Sequence, residues 1–282
     1  MTASDTTVIS VLIAARDAAA TIGEQLDALV DQSFTAPWEI IVVDDGSSDA
    51  TASIIDARAT VTPWIRRVAG PARGVAAARN AALDAARAPY LAMVDADDVV
   101  APGWLAAMAA ALDDAPIVAG ALDIDALNPE WVRGTRGRGI SAGPGSFAGL
   151  VSFANSCNLG VRREVVDRIG GFDESLTAGE DIEFSHRAAL AGFDVVYANA
   201  AVVRYRYRTT LGGLWRQAVA YGRSRTTLEA RLRGSGLVVP DPSLGRSWLG
   251  LVRRSPQAFS RAGRANLVFA AGGLWGRSRE AA

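Results

Sequence analysis

Among 282 residues there is one cysteine, Cys157, one histidine, His186, and no lysine at all. A single cysteine excludes an internal disulfide, and a single histidine excludes Cys/His zinc sites and multi-histidine metal centres. The lack of lysine removes Schiff-base chemistry and the P-loop phosphate lysine. The longest apolar stretches, such as 267–275, fall short of the ~20 residues that a bilayer-spanning helix needs. The first seven residues carry an acid and no basic charge, unlike a signal peptide, so the apolar run that follows reads as a buried strand and the expected location is cytoplasmic. Any chemistry here must run on carboxylates.

Half the residues are hydrophobic and 21% are charged, which excludes a disordered chain. The net charge of −1 hides an asymmetry: through Asn199, 14 Arg stand against 27 acids, and from Ala200 onward 15 Arg stand against 3. Residues 8–14 (VISVLIA) and 39–43 (EIIVV) are continuous apolar runs of the kind buried on both faces of a parallel sheet. Between them 21–30 has helical spacing, with Ile22, Leu26, Leu29 and Val30 on one stripe. The alternation continues through helix 50–60, strand 64–69, Ala-rich helix 74–86, strand 90–94, helix 104–112 and strand 117–122. Such regularity implies an α/β, doubly wound sheet whose ligands sit beyond the carboxyl ends of its strands.

Residues 128–149, rich in Gly, Arg, Pro and Ser, read as a mobile loop. After it we expect strand 153–161, short helix 163–169, helix 180–191, and strands 195–197 and 202–207 of an appended sheet. Helix 211–232, a Pro-containing linker 234–243 and a basic amphipathic helix 256–269 complete the chain.

Both acidic clusters fall at the sheet's carboxyl edge. Asp95-Ala96-Asp97 follows strand 90–94, and two carboxylates two residues apart on a turn can point at one hard cation, Mg²⁺ or Mn²⁺. An acidic turn capping the next helix has the same pattern. Asp44-Asp45 ends another strand, where mutual repulsion calls for a cation or donors nearby, or where an Asx-turn forms. The helix opening at Gly74 offers N–H groups with Arg79 in its second turn, either a diphosphate cradle or a solvated arginine. Glu180-Asp181 opens a helix, where acids complement the dipole. His186 points to a different helix face, and Cys157 reads as a small buried hydrophobe.

Taken together, VISVLIAARDA, EIIVVDDGSSDAT, GVAAARNAAL and YLAMVDADD, in this order, resemble the nucleotide-binding half of family 2 glycosyltransferases. GGFDESLTAGEDIEFSHRAALAGFDVVY, at 170–197, resembles the acceptor half of that family. The resemblance covers 8–228 and implies a GT-A fold: a Rossmann-like, mostly parallel sheet flanked by helices, with a C-terminal helical extension. It divides the chain into a GT-A domain at 1–232, with a nucleotide-binding half at 1–98 and an acceptor half at 99–210, and a basic extension at 233–282. It implies that Ala14, Ala15, Arg16 and Asp17, with Asp44 and Asp45, hold the nucleobase and ribose, and that Arg79 contacts the base or diphosphate. Asp95 and Asp97 match the DXD motif that contacts ribose and the Mg²⁺ or Mn²⁺ ion. Asp181 matches the catalytic base of inverting members, with Glu180 beside it on the acceptor side.

Two departures stand out. Many relatives have a Pro-x-Tyr-Asn turn after the first strand; Ala14-Ala15-Arg16-Asp17 lacks the aromatic that stacks on the base, so a UDP-sugar is only weakly favoured as donor. Relatives often carry a metal-binding His near 202–208, which here reads VVRYRYR, and Arg204 near that place suits a phosphate instead. By position, Trp104, Asn155 and Ser156 are further candidates for acceptor contact.

The expected activity is metal-dependent, inverting transfer of one sugar from a nucleotide-diphosphate sugar to a hydroxyl on a glycan or lipid-linked acceptor, in cell-envelope or exopolysaccharide synthesis. A sugar nucleotidyltransferase and a catalytically silent nucleotide-sugar-binding protein are the alternatives; the first lacks its Gly-rich, Lys-bearing loop. The basic tail intersperses Trp215, Trp248, Phe269 and Trp275 with Arg, which fits peripheral contact with a membrane or a solvated face, and no nucleic-acid motif accompanies it.

Overall fold

The computed structural model describes residues 7–133, 143–240 and 244–280. In the first half β1 (Ile9–Ala15), β2 (Trp38–Asp44), β3 (Ile65–Ala69) and β4 (Tyr90–Asp95) pair in parallel, joined through α1 (Ile22–Val30), α2 (Thr51–Val61) and α3 (Val75–Ala85). The second half adds β5 (Val99–Val100), α4 (Trp104–Asp114), β6 (Ile117–Asp123), α5 (Glu130–Arg133), the hairpin of β7 (Gly145–Phe147) and β8 (Val151–Phe153), β9 (Asn158–Arg162), α6 (Arg163–Ile169), α7 (Glu180–Leu190) and β10 (Val195–Arg204). Helices α8 (Leu211–Gly234), α9 (Leu244–Arg253) and α10 (Arg261–Glu280) follow, with a 3₁₀ turn at Ser255–Phe259.

Eight strands form one sheet in the order β3-β2-β1-β4-β9-β6-β10-β5, parallel except for β9 and β5. Because successive side chains on a strand point to opposite faces, β1 feeds two cores. Ile9, Val11 and Ile13 pack with Ile22, Leu26 and Leu29 of α1 and with Trp104 and Met108 of α4. Leu12 faces the other side, with Ala78 and Ala82 of α3 and Phe184 of α7. Alanine on α3 lets that helix lie close to the sheet.

Four expectations are corrected. The strand expected at 153–161 is two strands, because Asn158 N–H bonds Asn155 O at 2.8 Å and closes a turn between β8 and β9. The two strands of an appended sheet are one strand, β10, which continues past an irregularity between Ala198 and Val202 and lies in the main sheet beside β6. Within the loop read at 128–149, α5 and β7 are ordered elements, and 134–142 lie outside the described residues. The helix expected at 256–269 starts only at Arg261, after a 3₁₀ turn with Pro at its start, and runs on to Glu280.

Candidate active site

Register brings the two acidic clusters together: Ala15 pairs with Asp44 and Ala14 with Asp95, so three strand ends share one edge. At the β2 end the carboxylates are held by backbone. Asp44 Oδ1 accepts from Ser47 N–H at 3.1 Å, and buried Asp45 accepts from Ala72 and Gly74 N–H at 2.7 and 3.0 Å. Gly74 immediately precedes α3, so the amide that the spacing offered to a diphosphate is already capped by Asp45. Asp17, left-handed at φ 48°, accepts from Ser48 N–H at 2.8 Å and Ser48 Oγ at 3.0 Å, and these bonds lower its pKa. The largely exposed Arg16 lies 4.0 Å from Asp45. Residues 14–17 and 44–48 thus form one ledge.

The Asp95-Ala96-Asp97-Asp98 turn is clasped from both ends of the sequence. Buried Gln25 of α1 donates to Asp95 O at 3.1 Å and accepts from Val100 N–H at 3.0 Å. Arg206 donates through Nε to Asp97 O at 2.8 Å and through its backbone N–H to Asp98 Oδ1 at 2.7 Å, and pairs with Glu24 at 2.6 Å. Arg208 reaches Asp97 Oδ2 at 3.1 Å. Burial, and then Asp95, raises the Asp97 pKa against the pull of Arg208. Burial and Asp97 hold Asp98 well above the usual carboxylate range. Among the described residues Asp98 Oδ2 is buried with no hydrogen-bond partner, and ligand atoms of Asp95, Asp98 and Cys157 lie within 4.8 Å of one another. Crowded carboxylate oxygens with an unsatisfied member fit a hard divalent cation. The Cys157 thiol, kept protonated first by burial and then by Asp98, does not suit such an ion.

Arg79 joins this turn to the second half of the chain. From α3 its Nη2 donates to Asp95 Oδ1 at 2.8 Å, and its Nη1 donates to Glu180 Oε1. Burial opposes the charged guanidinium, but Asp95 and Glu180 more than offset it. Glu180 and Asp181 open α7 just after Gly179, whose φ of 78° would strain any side chain. Asp181 Oδ2 accepts from Ser156 N–H at 3.2 Å and Oδ1 from its neighbour Ile182 N–H at 2.9 Å. A helix N-terminus favours an ionised acid. Here burial and the adjacent Glu180 outweigh Arg79 and both amides, and push Asp181 up to about 7.

A cleft of about 1280 Å³ opens over these groups; Arg79, Asp95, Asn155, Ser156, Glu180 and Asp181 line one side, and α8 the other. Asp97 meets it through Arg208. Trp104, a candidate sugar contact by position, lies in the core instead: it is fully buried and its indole N–H donates to Asn158 Oδ1 at 2.8 Å. Arg204 sits within β10, opposite Val99 and Asp123, and is not among the residues lining the cleft. Arg206 and Arg208 occupy the place expected for it. The alternating arginines of VVRYRYR were a signal for these two, whereas nothing in the sequence marked Gln25.

A sheet edge of this kind, with acidic strand ends facing a helix-borne carboxylate, is that of a GT-A protein. The mannosyltransferase PcManGT from Pyrobaculum calidifontis, solved in complex with GDP-Man and Mn²⁺, superposes with a TM-score of 0.64 at 19% identity, over 97% of this chain and 86% of that one. S. aureus TarS 1–349 in complex with UDP-GlcNAc gives 0.56 at 17% identity, over 96% and 91%. The profile of Glycosyl transferase family 2 matches residues 10–170, and the chain belongs to that family. The pre-mycofactocin glycosyltransferase of Mycobacterium tuberculosis is 29% identical over 206 residues, covering 68% of this chain and 42% of that protein. The succinoglycan biosynthesis protein ExoU of Rhizobium meliloti is 31% identical over 224 residues, covering 72% and 64%. This chain therefore spans less than two thirds of either relative.

Proposed function

We propose that this chain is a metal-dependent, inverting glycosyltransferase that moves a sugar from a nucleotide-diphosphate donor to a hydroxyl acceptor. The observation that carries the reading is the Asp95–Arg79–Glu180 bridge: side chains 101 residues apart meet so that the first half's carboxylate turn and Asp181 open on one cleft. On the donor side, the ledge at 14–17 and 44–48 takes the nucleoside. Asp95 and Asp97 would hold Mg²⁺ or Mn²⁺ with the unsatisfied oxygen of Asp98 close by, and the ion when bound neutralises charge developing on the diphosphate leaving group. Arg79 is held by two carboxylates and positions them, and the more exposed Arg208 is paired with Asp97.

Asp181 takes the proton of the attacking hydroxyl. The acceptor oxygen bonds to the anomeric carbon from the face opposite the leaving group, the carbon–oxygen bond to phosphate breaks, and its electron pair leaves on the nucleoside diphosphate. A carboxylate with a pKa near 7 remains substantially ionised at neutral pH and is a stronger base than an ordinary aspartate. The succinoglycan relative supports an acceptor in exopolysaccharide or envelope synthesis.

Peripheral contact with an anionic membrane extends the proposal. None of the described helices is long and apolar enough to cross a bilayer. Helix α9, however, buries no residue and exposes Leu249 and Val252 beside Arg253. Sedimentation with anionic but not neutral vesicles at low salt is the expected behaviour.

The function is tested by incubating the protein with a panel of nucleotide sugars, with Mn²⁺ or with EDTA. One donor is expected to release nucleoside diphosphate and give an inverted anomeric linkage, and EDTA to stop it. Binding without turnover across the panel, or pyrophosphate formed from a nucleoside triphosphate and a sugar phosphate, would contradict the proposal.

A further inference from the structure

Helix α8 is amphipathic, and both of its faces are engaged. Its buried side carries Leu214, Ala218 and Gly222. There it meets α10 almost backbone to backbone: a Cβ on Gly222 would stand 2.1 Å from Gly273 O, and one on Gly276 would stand 2.3 Å from Val219 O. A second stripe, at Gly213, Arg216, Gln217, Ala220, Ser224 and Leu228, has the three- and four-residue spacing of one helix face and lines the cleft. On this cleft-facing stripe Arg216 is exposed, as is Arg223 further along the helix, while the Gln217 beside Arg216 is half-buried.

Most cations around the cleft already face a carboxylate, Glu229 being shared by Arg225, Arg233 and Arg277. Arg225 pairs with buried Glu229 at 2.7 Å, Arg208 with Asp97 at 3.1 Å and Arg206 with Glu24 at 2.6 Å. Arg216 makes no ion pair or hydrogen bond among the described residues, and neither does Arg223, two turns further along α8. These two flank an adjoining recess of about 380 Å³, completed by Thr177, Trp215, Val219 and Ala220. Gln217 Oε1, on the cleft stripe, is buried with no hydrogen-bond partner among the described residues. The far wall carries Asp95, Glu180 and Asp181. The cleft is thus acidic where the reaction occurs and carries unpaired positive charge along α8. Two free guanidinium forks match phosphate oxygens, whereas a neutral sugar leaves both unpaired.

We infer that Arg216 and Arg223 bind a phosphate or diphosphate carried by the acceptor, so that the acceptor is a phosphorylated glycoside and not a neutral glycan. The inference rests on the cleft being the acceptor site of a glycosyltransferase. Trp215, partly exposed at the recess, supplies an apolar flank for the group beyond the phosphate.

Glucose 1-phosphate, farnesyl phosphate and neutral octyl glucoside are titrated by calorimetry in EDTA, which prevents a metal at the donor site from drawing phosphate. The unmutated protein is expected to bind a phosphate probe and not octyl glucoside. The double variant Arg216→Gln/Arg223→Gln should bind it weaker by about tenfold for each charge-assisted bond lost, and Arg216→Lys/Arg223→Lys should fall between. Binding of farnesyl phosphate alone assigns the phosphate to a lipid carrier; binding of both probes assigns it to a soluble phosphate as well. Equal affinity in the Gln variant, binding of octyl glucoside as tight as that of either phosphate, or no phosphate binding by the unmutated protein overturns the inference. UDP with Mn²⁺, titrated on the same samples, separates the two readings: its failure to bind the unmutated protein counts against the glycosyltransferase, while its unchanged affinity in the variant localises the defect to the recess.

Discussion

Replacing Asp181 by asparagine removes a carboxylate whose ionisation the fold opposes. Raising a carboxyl from its ordinary 3.8 to about 7 corresponds to about 4 kcal/mol of preference for the protonated form. Between those two values the folded state keeps a proton that the unfolded state has released, so stability falls as pH rises, and above about pH 7 the whole penalty is in force. Asparagine has the same shape and never ionises, but it offers one acceptor oxygen where Asp181 uses two, one for Ser156 N–H and one for Ile182 N–H. The orphaned amide costs about 1–3 kcal/mol. The net gain at pH 8 is then about 1–3 kcal/mol, or roughly 2–8 °C in melting temperature. At pH 5 the folded aspartic acid is protonated while the unfolded one is ionised, so only about 1–2 kcal/mol of the penalty is in force, and against the orphaned amide the gain falls to about zero. Thermal unfolding of both proteins at the two pH values reads this directly. A variant no more stable than the parent at pH 8, or equally stabilised at both, refutes the argument that burial and Glu180 oppose the charge.

With Asp181 as the proposed base, kcat/KM should climb as pH rises through about 7 and then level, because only an ionised carboxylate can accept the hydroxyl proton; a pH-independent profile across that range would remove Asp181 as the base. Arg79→Met leaves Asp95 and Glu180 without the cation between them, and denaturant titration should show a loss of about 3–5 kcal/mol, with a change too small to measure counting against the bridge. Gly222→Ala forces a Cβ against Gly273 O, and the overpacking should cost about 1–3 kcal/mol; an unchanged melting temperature would mean that α8 and α10 are not in close contact.

The first half of the fold was legible because β1, β2 and β4 are apolar runs buried on both faces and α1 has one apolar stripe, so local pattern and tertiary outcome agree there. The boundaries of β1, β2 and β4 accordingly lie within a residue or so of those read from the sequence. The second half was harder for reasons that residues 154–157 and 198–201 illustrate. The Asn155–Asn158 turn interrupts what reads as one strand, and the small residues Ala198, Asn199, Ala200 and Ala201 read as a break where β10 continues through an irregularity. Strand direction is not written in composition, so antiparallel β9 looked like its neighbours. In α10, Gly272, Gly273 and Gly276 resemble a helix stop, yet their lack of side chains is what lets α10 lie against α8.

The candidate carboxylates were legible through motif and strand position. The Arg79–Glu180 contact was not, since it depends on α3 and α7 approaching across the sheet edge. Trp104 was placed by position alone. The stripe of Trp104, Leu105, Met108 and Leu112 on α4, all fully buried, was the better guide to its packing role.

The account turns on Asp181 acting on the acceptor proton beside a donor held by other residues. The measurement that tests it most directly compares Asp181→Asn with the parent in donor affinity and in turnover, using Mn²⁺ and whichever nucleotide sugar the panel identifies. The account predicts an unchanged Kd for the nucleoside diphosphate and a fall in kcat of about 10²–10⁴. Turnover at the parent rate would contradict it.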